Sequence, residues 1–314
     1  MQRRFLLATV PAFGLSFAAN PGSVQTAPKP MVVSAGYTGG TYYRLMKEFD
    51  DASPGLIFNT ESDGSLTNID RVMGNQAELG ITQFDALYFR SLKEPTLKER
   101  IRVLTVLYPE EIHFVAKSAE RSEGGIGVFG FNTDINAKKV NLKSIDDLRG
   151  RKIGFWGGAI ITEQIIASMT LIGWAPVEYN DQKTALEALQ NDQIDALLAV
   201  GGQPLEWVSE LSRGYKLLGV PDLFVNRLAA VYDKTTLTYR NLGQEGVQTL
   251  AVGAMLVTRN YTSKGKREQL QMIHDKLAEV IGDIRETRGS HPKWGDIDPM
   301  AATDKWPMYL SVRQ

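Results

Sequence analysis

The sequence predicts an α/β fold of two lobes that face a shared cleft, and a repeated pattern carries this prediction. Residues 32–43 run from an apolar, β-branched segment through a Gly-Gly turn into a polar and aromatic helix start. Residues 152–164 repeat the order of strand, Gly-Gly turn and helix start. A polar pair and a further apolar strand follow each stretch at nearly the same distance, at 75–76 and 192–193. Two halves of similar plan, each opening a helix N-terminus in the same sense, indicate two lobes around one cleft.

The N-terminus predicts a secretory signal peptide over residues 1–18, followed by an extended linker over 19–30. An Arg3-Arg4 pair precedes a mostly apolar run that ends in small residues, which is the pattern of an exported protein. Because Gln2 stands where a twin-arginine signal usually has Ser or Thr, the Sec route is favoured. The alternative interpretation is a disordered tail with a chance apolar patch. We therefore expect a periplasmic protein.

Composition excludes several function classes. The chain has 314 residues, a formal net charge of −1 and no cysteine, which argues against a nucleic-acid partner and excludes disulfides, thiol catalysis and thiolate metal sites. Its three histidines show no spacing typical of metal ligands, and no nucleophile elbow, phosphate loop or zinc-protease motif is present. A carboxylate pair brought together by the fold stays open as an alternative. We expect a monomeric protein that is not an enzyme and has no metal and no cofactor.

Lobe 1 is predicted to be built from both ends of the mature chain, and lobe 2 from its middle. Lobe 1 is expected over residues 31–111 and 246–314, and lobe 2 over 112–245, with Pro109 between two β-type segments marking the crossing. A Gly-rich insert at 119–140 predicts a mobile loop that covers the cleft, meets a partner or packs on its own lobe.

The remaining segments predict helices and a packed tail. Residues 266–287 carry apolar side chains at intervals of three and four, as an amphipathic helix does. The tail contains Trp294, Trp306 and Tyr309 and is expected to pack across the back of the fold. The helix after the second Gly-Gly turn is unusually apolar.

Five segments in order resemble the TAXI family of periplasmic solute-binding proteins, which are associated with TRAP transporters. They are residues 36–43, 75–85, 107–110, 157–163 and 192–196. The resemblance covers nearly the whole mature chain. It implies a two-lobed periplasmic-binding-protein fold of type II, with mixed sheets flanked by helices and a hinged central cleft. It also implies that the protein delivers its ligand to a membrane transporter component.

The resemblance also implies where a ligand would lie. By position, Tyr37, Thr38, Gly40, Thr41, Gln83, Glu110 and the segment 157–163 would face it. The second loop departs from the small, hydroxyl-rich loop of the family by carrying Trp and Ile, which favours an apolar ligand with a polar head, such as a sterol or other lipid. The full predicted ligand-binding set is Tyr37, Thr38, Gly40, Thr41, Tyr42, Gln83, Phe84, Tyr108, Glu110, Trp156, Gly157, Ile160, Ile161, Glu163 and Gly202.

Three alternatives stay open at this point. Ile160 and Ile161 are equally consistent with ordinary core positions. A glutamate or dicarboxylate receptor of a TRAP-type transporter predicts a cation in the cleft, and Arg44 and Arg102 are the candidates. A ligand sensor or scaffold without a transport role has the same sequence features.

Overall fold

The computed structural model describes residues 29–123, 127–128, 131–132 and 138–309. The predicted signal peptide and part of the predicted Gly-rich insert lie outside these residues. The strands are β1 (Met31–Gly36), β2 (Ile57–Glu61), β3 (Leu79–Gln83), β4 (Ile101–Lys117), β5 (Arg121–Glu123), β6 (Gly127–Val128), β7 (Phe131–Asn132), β8 (Lys138–Val140), β9 (Lys152–Phe155), β10 (Ala175–Glu178), β11 (Ala196–Gly201), β12 (Tyr215–Leu217), β13 (Asp233–Tyr239) and β14 (Gln244–Arg259).

The α-helices are α1 (Thr41–Ala52), α2 (Ser65–Met73), α3 (Phe84–Lys93), α4 (Leu97–Arg100), α5 (Ala159–Thr170), α6 (Gln182–Gln190), α7 (Glu206–Glu210), α8 (Asp222–Leu228) and α9 (Lys264–Glu286). Short 3-10 helices occupy Ile145–Leu148, Arg240–Leu242 and Pro292–Asp296. Among the described residues, none of the helices combines the length and apolarity needed to cross a membrane.

The helices form where the sequence patterns predict them. The helix α1 buries Leu45, Met46 and Phe49 on one stripe, and α9 buries the apolar positions of its three-and-four pattern. The helix α6 is capped at its N-terminus by Asp181, whose carboxylate accepts a hydrogen bond of 2.8 Å from the Thr184 N–H. The predicted α/β class, with a mixed sheet flanked by helices, is confirmed.

Two long strands carry the sheet through the whole molecule. The main sheet has the order β10-β9-β11-β4-β14-β3-β1-β2, with β12 added to β4 and β13 added to β14. The prediction of two strands separated at Pro109 is wrong, because β4 is continuous through it. Pro109 lies opposite Gly253 on β14, and the register shifts between Gly253 and Met255. This irregularity tolerates a residue without an N–H, which a regular ladder does not.

We propose the opposed pair of Pro109 and Gly253, which we call the crossing, as the boundary between the two lobes. We call residues 31–109 and 253–309 lobe 1, and residues 110–252 lobe 2. The predicted boundary at 246 falls inside β14, whose first half pairs with β13 of lobe 2. The sequence analysis did not identify β13.

The apolar core does not stop at the lobe boundary. One buried cluster lies within lobe 1 under α1 and α9, and another lies around α6 and α7 of lobe 2. A third cluster joins Phe84 and Leu87 of α3 to Ile161 and Ile165 of α5, so it spans both lobes. The lobes are therefore in direct apolar contact through α3 and α5.

The tail packs onto the body of lobe 1. The Trp294 indole donates a 2.6 Å hydrogen bond to Glu48 of α1, and the Trp306 indole donates to the Ile101 carbonyl at 3.2 Å. Trp306 also meets Phe84 edge to face, with the ring centroids 6.4 Å apart. These contacts hold the residues after α9 against α1, the start of β4 and Phe84.

Candidate functional site

A buried carboxyl group lies at the centre of the crossing. Glu110 follows Pro109 on β4, is 6% exposed, and accepts a 2.6 Å hydrogen bond from the Tyr42 hydroxyl of α1. Burial raises the pKa of Glu110 to about 7, and the nearby Asp85 and Glu111 add to the rise, while hydrogen bonding from Tyr42 and Gln83 opposes it. Glu110 is thus poised between its two protonation states near neutral pH.

Two further polar atoms beside Glu110 are buried and unpaired. The Gln83 Oε1 atom and the Tyr108 hydroxyl have no hydrogen-bond partner within the described part of the chain. Leaving such a group unpaired in the interior costs about 1–3 kcal/mol. Gln83 ends β3 of lobe 1, and a Cβ built at Gly158 of lobe 2 would lie 3.1 Å from its Oε1. The start of α5 therefore lies directly against the Gln83 amide.

The two helix N-termini at the crossing are not capped by their own side chains. Gly40 precedes α1 and Gly158 precedes α5, and neither helix has a side-chain hydrogen bond at its N-cap. Helix N-termini favour negative charge and present N–H donors. The site thus combines buried acceptors with donor-rich backbone.

A buried cation reaches the crossing from the tail. Lys293 is 3% exposed; its Nζ lies 2.7 Å from Asp296 and 3.4 Å from Glu111, and it stands 5.7 Å from the centre of the Tyr108 ring. Its stem fills the space beside Gly202, where a side chain would collide with it. Sequence reasoning missed Lys293, because no local motif relates a residue after α9 to the Gly-Gly turns.

A second buried carboxyl group bonds the lobes together. Asp85, in the first turn of α3, accepts hydrogen bonds from Thr162 of α5 at 2.6 Å and from Tyr232 at 3.0 Å. Burial raises the pKa of Asp85 to about 6, against the lowering effect of these hydroxyls. Its Oδ1 atom has no partner among the residues that the structure describes. The Asp85 carboxylate therefore joins α3 to α5 by a hydrogen bond inside their contact.

Part of the predicted ligand-binding set comes together in the structure. Tyr42, Gln83, Tyr108 and Glu110 form one buried group, and Thr41 lies beside it, with its hydroxyl 3.5 Å from the His291 ring. Gly40, Gly157 and Gly202 lie on the backbone turns around this group.

Other members of the predicted set lie elsewhere. Tyr37 is 67% exposed, and the Thr38 N–H donates to Glu61 at 3.1 Å. Glu163 is buried and accepts a 2.6 Å hydrogen bond from the Trp174 indole. The Glu163 side chain is thus bonded within the protein, whereas Tyr37 and Thr38 are exposed.

The residues proposed to hold an apolar ligand pack against the protein instead. Phe84 and Ile161 are buried in the cluster that spans both lobes, and Ile160 packs against it. Trp156 meets Trp207 edge to face, with the centroids 5.8 Å apart. The structure thus places these side chains in the core or on its margin, and it does not support an apolar cleft.

Neither arginine considered for an anion site reaches the crossing. Arg44 pairs with Glu48 at 2.9 Å, and Arg102 donates to the carbonyls of Lys98 and Ile101. The described residues contain no cluster of His, Cys, Asp and Glu that is suited to a metal ion.

A small cavity contacts the buried group through Tyr108 alone. It measures about 200 Å³ and lies between the crossing strands and the tail, next to Tyr108. Asp233, Asp296 and Asp298 line it. A separate groove of about 710 Å³ lies on the back of lobe 1, between the end of α1 and α9. The cavity beside Tyr108 is thus lined by three carboxylates, two of which form ion pairs with lysines.

Several solved structures are similar in outline. The substrate-binding protein of an amino acid ABC transporter shares 11% identity over 81% of this chain and 93% of its own, with a TM-score of 0.49. An ancestral arginine-binding protein bound to arginine shares 14% over 82% and 94%, also at 0.49. Protein AF1704 from Archaeoglobus fulgidus shares 15% over 85% and 82%, again at 0.49.

The sequence itself matches a family model over most of the chain. The matched residues are 33–280, which include both Gly-Gly turns, the crossing strands and most of α9. The chain therefore belongs to the NMT1-like family.

Proposed function

We propose that this chain is a periplasmic substrate-binding protein, which captures a small polar solute between its lobes and passes it to a membrane transport protein. The observation that carries the proposal is the group of buried polar atoms at the crossing. Glu110, Gln83 Oε1 and the Tyr108 hydroxyl are withdrawn from water, and two of the three lack a partner among the described side chains. A bound solute that supplies hydrogen bonds offsets the cost of burying them.

The chemistry of this group favours a solute with an amino group, such as an amino acid. Glu110 and Gln83 present acceptors, which suit an ammonium group, and the N-termini of α1 and α5 suit a carboxylate. A lipid or sterol is less well supported, because Phe84 and Ile161 are already packed in the core. This reasoning favours the amino-acid alternative over the apolar ligand predicted from sequence.

Two lobes joined by continuous strands favour a role in transport. Opening at Pro109 and Gly253 would separate Gly158 from Gln83 and give a solute access to the buried group. The resemblance to the TAXI family and the TRAP-type partner remain predictions. A permease encoded beside this chain would show which transport class it serves.

Calorimetric titration and thermal melting of the mature chain test the proposal. The panel contains the twenty amino acids, small dicarboxylates, diamines and a sterol in detergent. We expect one member of the polar group to bind; at 100 times its Kd it adds about 2.7 kcal/mol to the free energy of unfolding. We expect Glu110→Gln to weaken that binding, and Glu279→Gln, on the back of lobe 1, to leave it unchanged. Binding of the sterol alone would refute the proposal.

A further inference from the structure

The buried ionisable groups around Glu110 are mostly acidic. The titratable or charged groups that face it or its immediate neighbours are Tyr42 on α1, Asp85 on α3, Tyr108 and Glu111 on β4, and Lys293 from the tail. Asp85 and Glu111 both act on Glu110 by repulsion between like charges. The site therefore concentrates negative charge.

The single cation in this set, Lys293, already forms ion pairs with other carboxylates. Lys293 pairs with Asp296 at 2.7 Å and with Glu111 at 3.4 Å. Glu111 also accepts a 2.6 Å hydrogen bond from the Gln203 N–H. Glu110, by contrast, receives its 2.6 Å hydrogen bond from Tyr42, a neutral donor. Among the described side chains, Lys293 pairs with Glu111 and Asp296, and Glu110 has no counter-ion.

The unpaired buried atoms near Glu110 are acceptors as well. Gln83 Oε1 and Asp85 Oδ1 are acceptors, and both are buried without a partner among the described residues. The cavity beside Tyr108 is lined by three aspartates, of which Asp233 pairs with Lys305 and Asp296 with Lys293. A ligand that donates hydrogen bonds and carries positive charge satisfies Gln83 Oε1 and the Glu110 carboxylate, whereas a dicarboxylate adds charge of the same sign.

We infer that the ligand of this site carries a net positive charge, as a basic amino acid or a diamine does, and that Glu110 pairs with its cationic group. The inference rests on the function proposed above and narrows the class of solute. A cation bound against Glu110 favours the ionised carboxylate over the protonated form. Where Glu110 holds a proton, ligand binding therefore releases that proton to solvent. Affinity for a cation is then expected to rise with pH through the titration range of Glu110.

Titration calorimetry of the mature chain with arginine, lysine and putrescine, and with glutamate for comparison, tests the inference. Measurements at pH 6, 7 and 8 in buffers of different ionisation enthalpy count the protons released. We expect a cation to bind, with a several-fold gain in affinity from pH 6 to pH 8 and with proton release. Preferential binding of glutamate or of a neutral solute, at an affinity that falls or stays constant with pH, would overturn the inference while the proposed function stands. Binding of no polar solute would refute both.

Two variants separate the charge from the shape of the site. Glu110→Gln keeps an acceptor for the Tyr42 hydroxyl, and we expect it to weaken cation binding about 10- to 100-fold and to abolish proton release. Gln83→Leu removes an acceptor without touching the charge, so it should weaken binding but keep proton release. Circular dichroism and melting confirm that each variant is folded. Unchanged proton release in Glu110→Gln would show that another group pairs with the cation.

Discussion

The two Gly-Gly turns begin from the same plan and end in different surroundings. Each sends a helix from the end of a strand, and each helix makes one short bond from a hydroxyl in its first turn to a buried carboxyl group. On α1 the bond joins Tyr42 to Glu110, and on α5 it joins Thr162 to Asp85; both measure 2.6 Å. The two helices nevertheless differ in what surrounds the bond.

The surroundings follow from the composition of each helix. The helix α1 buries one stripe in lobe 1, and its start is polar. Tyr37, in the Gly-Gly turn before α1, is exposed. The helix α5 buries Ala159, Ile161, Ile165 and Ile166 on more than one side, because it lies between the sheet of lobe 2 and α3 of lobe 1. The first turn and α1 therefore help to form the candidate ligand site, while α5, after the second turn, mainly holds the lobes together.

The largest expected effect tests the structural role of α5. Ile161→Ala should lower the free energy of unfolding of the ligand-free chain by about 2–5 kcal/mol, because it leaves a cavity in the cluster that spans both lobes. Urea denaturation followed by fluorescence measures the change. The matched variant Ile160→Ala, at a half-buried neighbour, should cost less. If Ile161→Ala left stability unchanged and weakened ligand binding, α5 would be a wall of the ligand site after all.

The sequence predicted the parts of this fold that depend on local pattern. Both strand–turn–helix units follow from short-range apolar and glycine signals, and the helix over 266–287 agrees with α9 to within two residues. The same reasoning failed at Pro109, because the residue that accommodates the proline is Gly253, on a distant strand. Local patterns carry no information about such a partner.

The candidate site was less predictable than the fold for the same reason. Glu110, Gln83 and Tyr42 were identified through their place in the resembling segments. Lys293 and the bond from Asp85 to Thr162 depend on how the tail and α5 dock, which no single segment specifies. The apolar surface of α5 was assigned to a ligand because sequence alone does not distinguish an apolar helix that lines a cleft from one that is buried.

The burial of Glu110, on the α1 side, is expected to make stability depend on pH. The pKa of Glu110 is raised to about 7 from its ordinary value of 4.5, so its stabilising contribution is present at low pH and is lost as pH rises through about 7. Between pH 5 and pH 8 this loss amounts to about 2.5 kcal/mol. Glu110→Gln should remove it, so the free energy of unfolding of the variant relative to wild type should rise with pH by that amount.

Denaturant titrations of both proteins at intervals from pH 5 to pH 8 measure this difference. His113 acts in the opposite direction, since burial lowers its pKa to about 3 from 6.5, and its contribution is lost as pH falls below about 6.5. Because His113 is present in both proteins, its effect cancels in the comparison. Parallel pH profiles for wild type and variant would show that Glu110 is not perturbed in the folded chain.

The bond on the α5 side is expected to contribute less, and to do so independently of ligand. Thr162→Val keeps the shape of the side chain but removes one of the two donors to Asp85, which should cost about 1–2 kcal/mol. Ser168→Ala on the same helix removes a bond from Ser168 to its own helix and serves as the control. Stability of both variants is measured by urea denaturation. A cost for Thr162→Val no larger than for the control would mean that the Thr162 hydroxyl adds nothing to the contact across the lobes.

The smallest effect is expected at the exposed end of the first turn. Tyr37 is 67% exposed, so Tyr37→Ser should change the free energy of unfolding by less than about 0.5 kcal/mol. It should also weaken ligand binding much less than Glu110→Gln does, because its side chain lies outside the buried group in this arrangement of the lobes. Paired denaturation and calorimetry measure both quantities. A loss of affinity as large as that of Glu110→Gln, without a loss of stability, would mean that Tyr37 folds over the bound solute, and the first turn would then contribute its exposed residues as well as Tyr42 to the site.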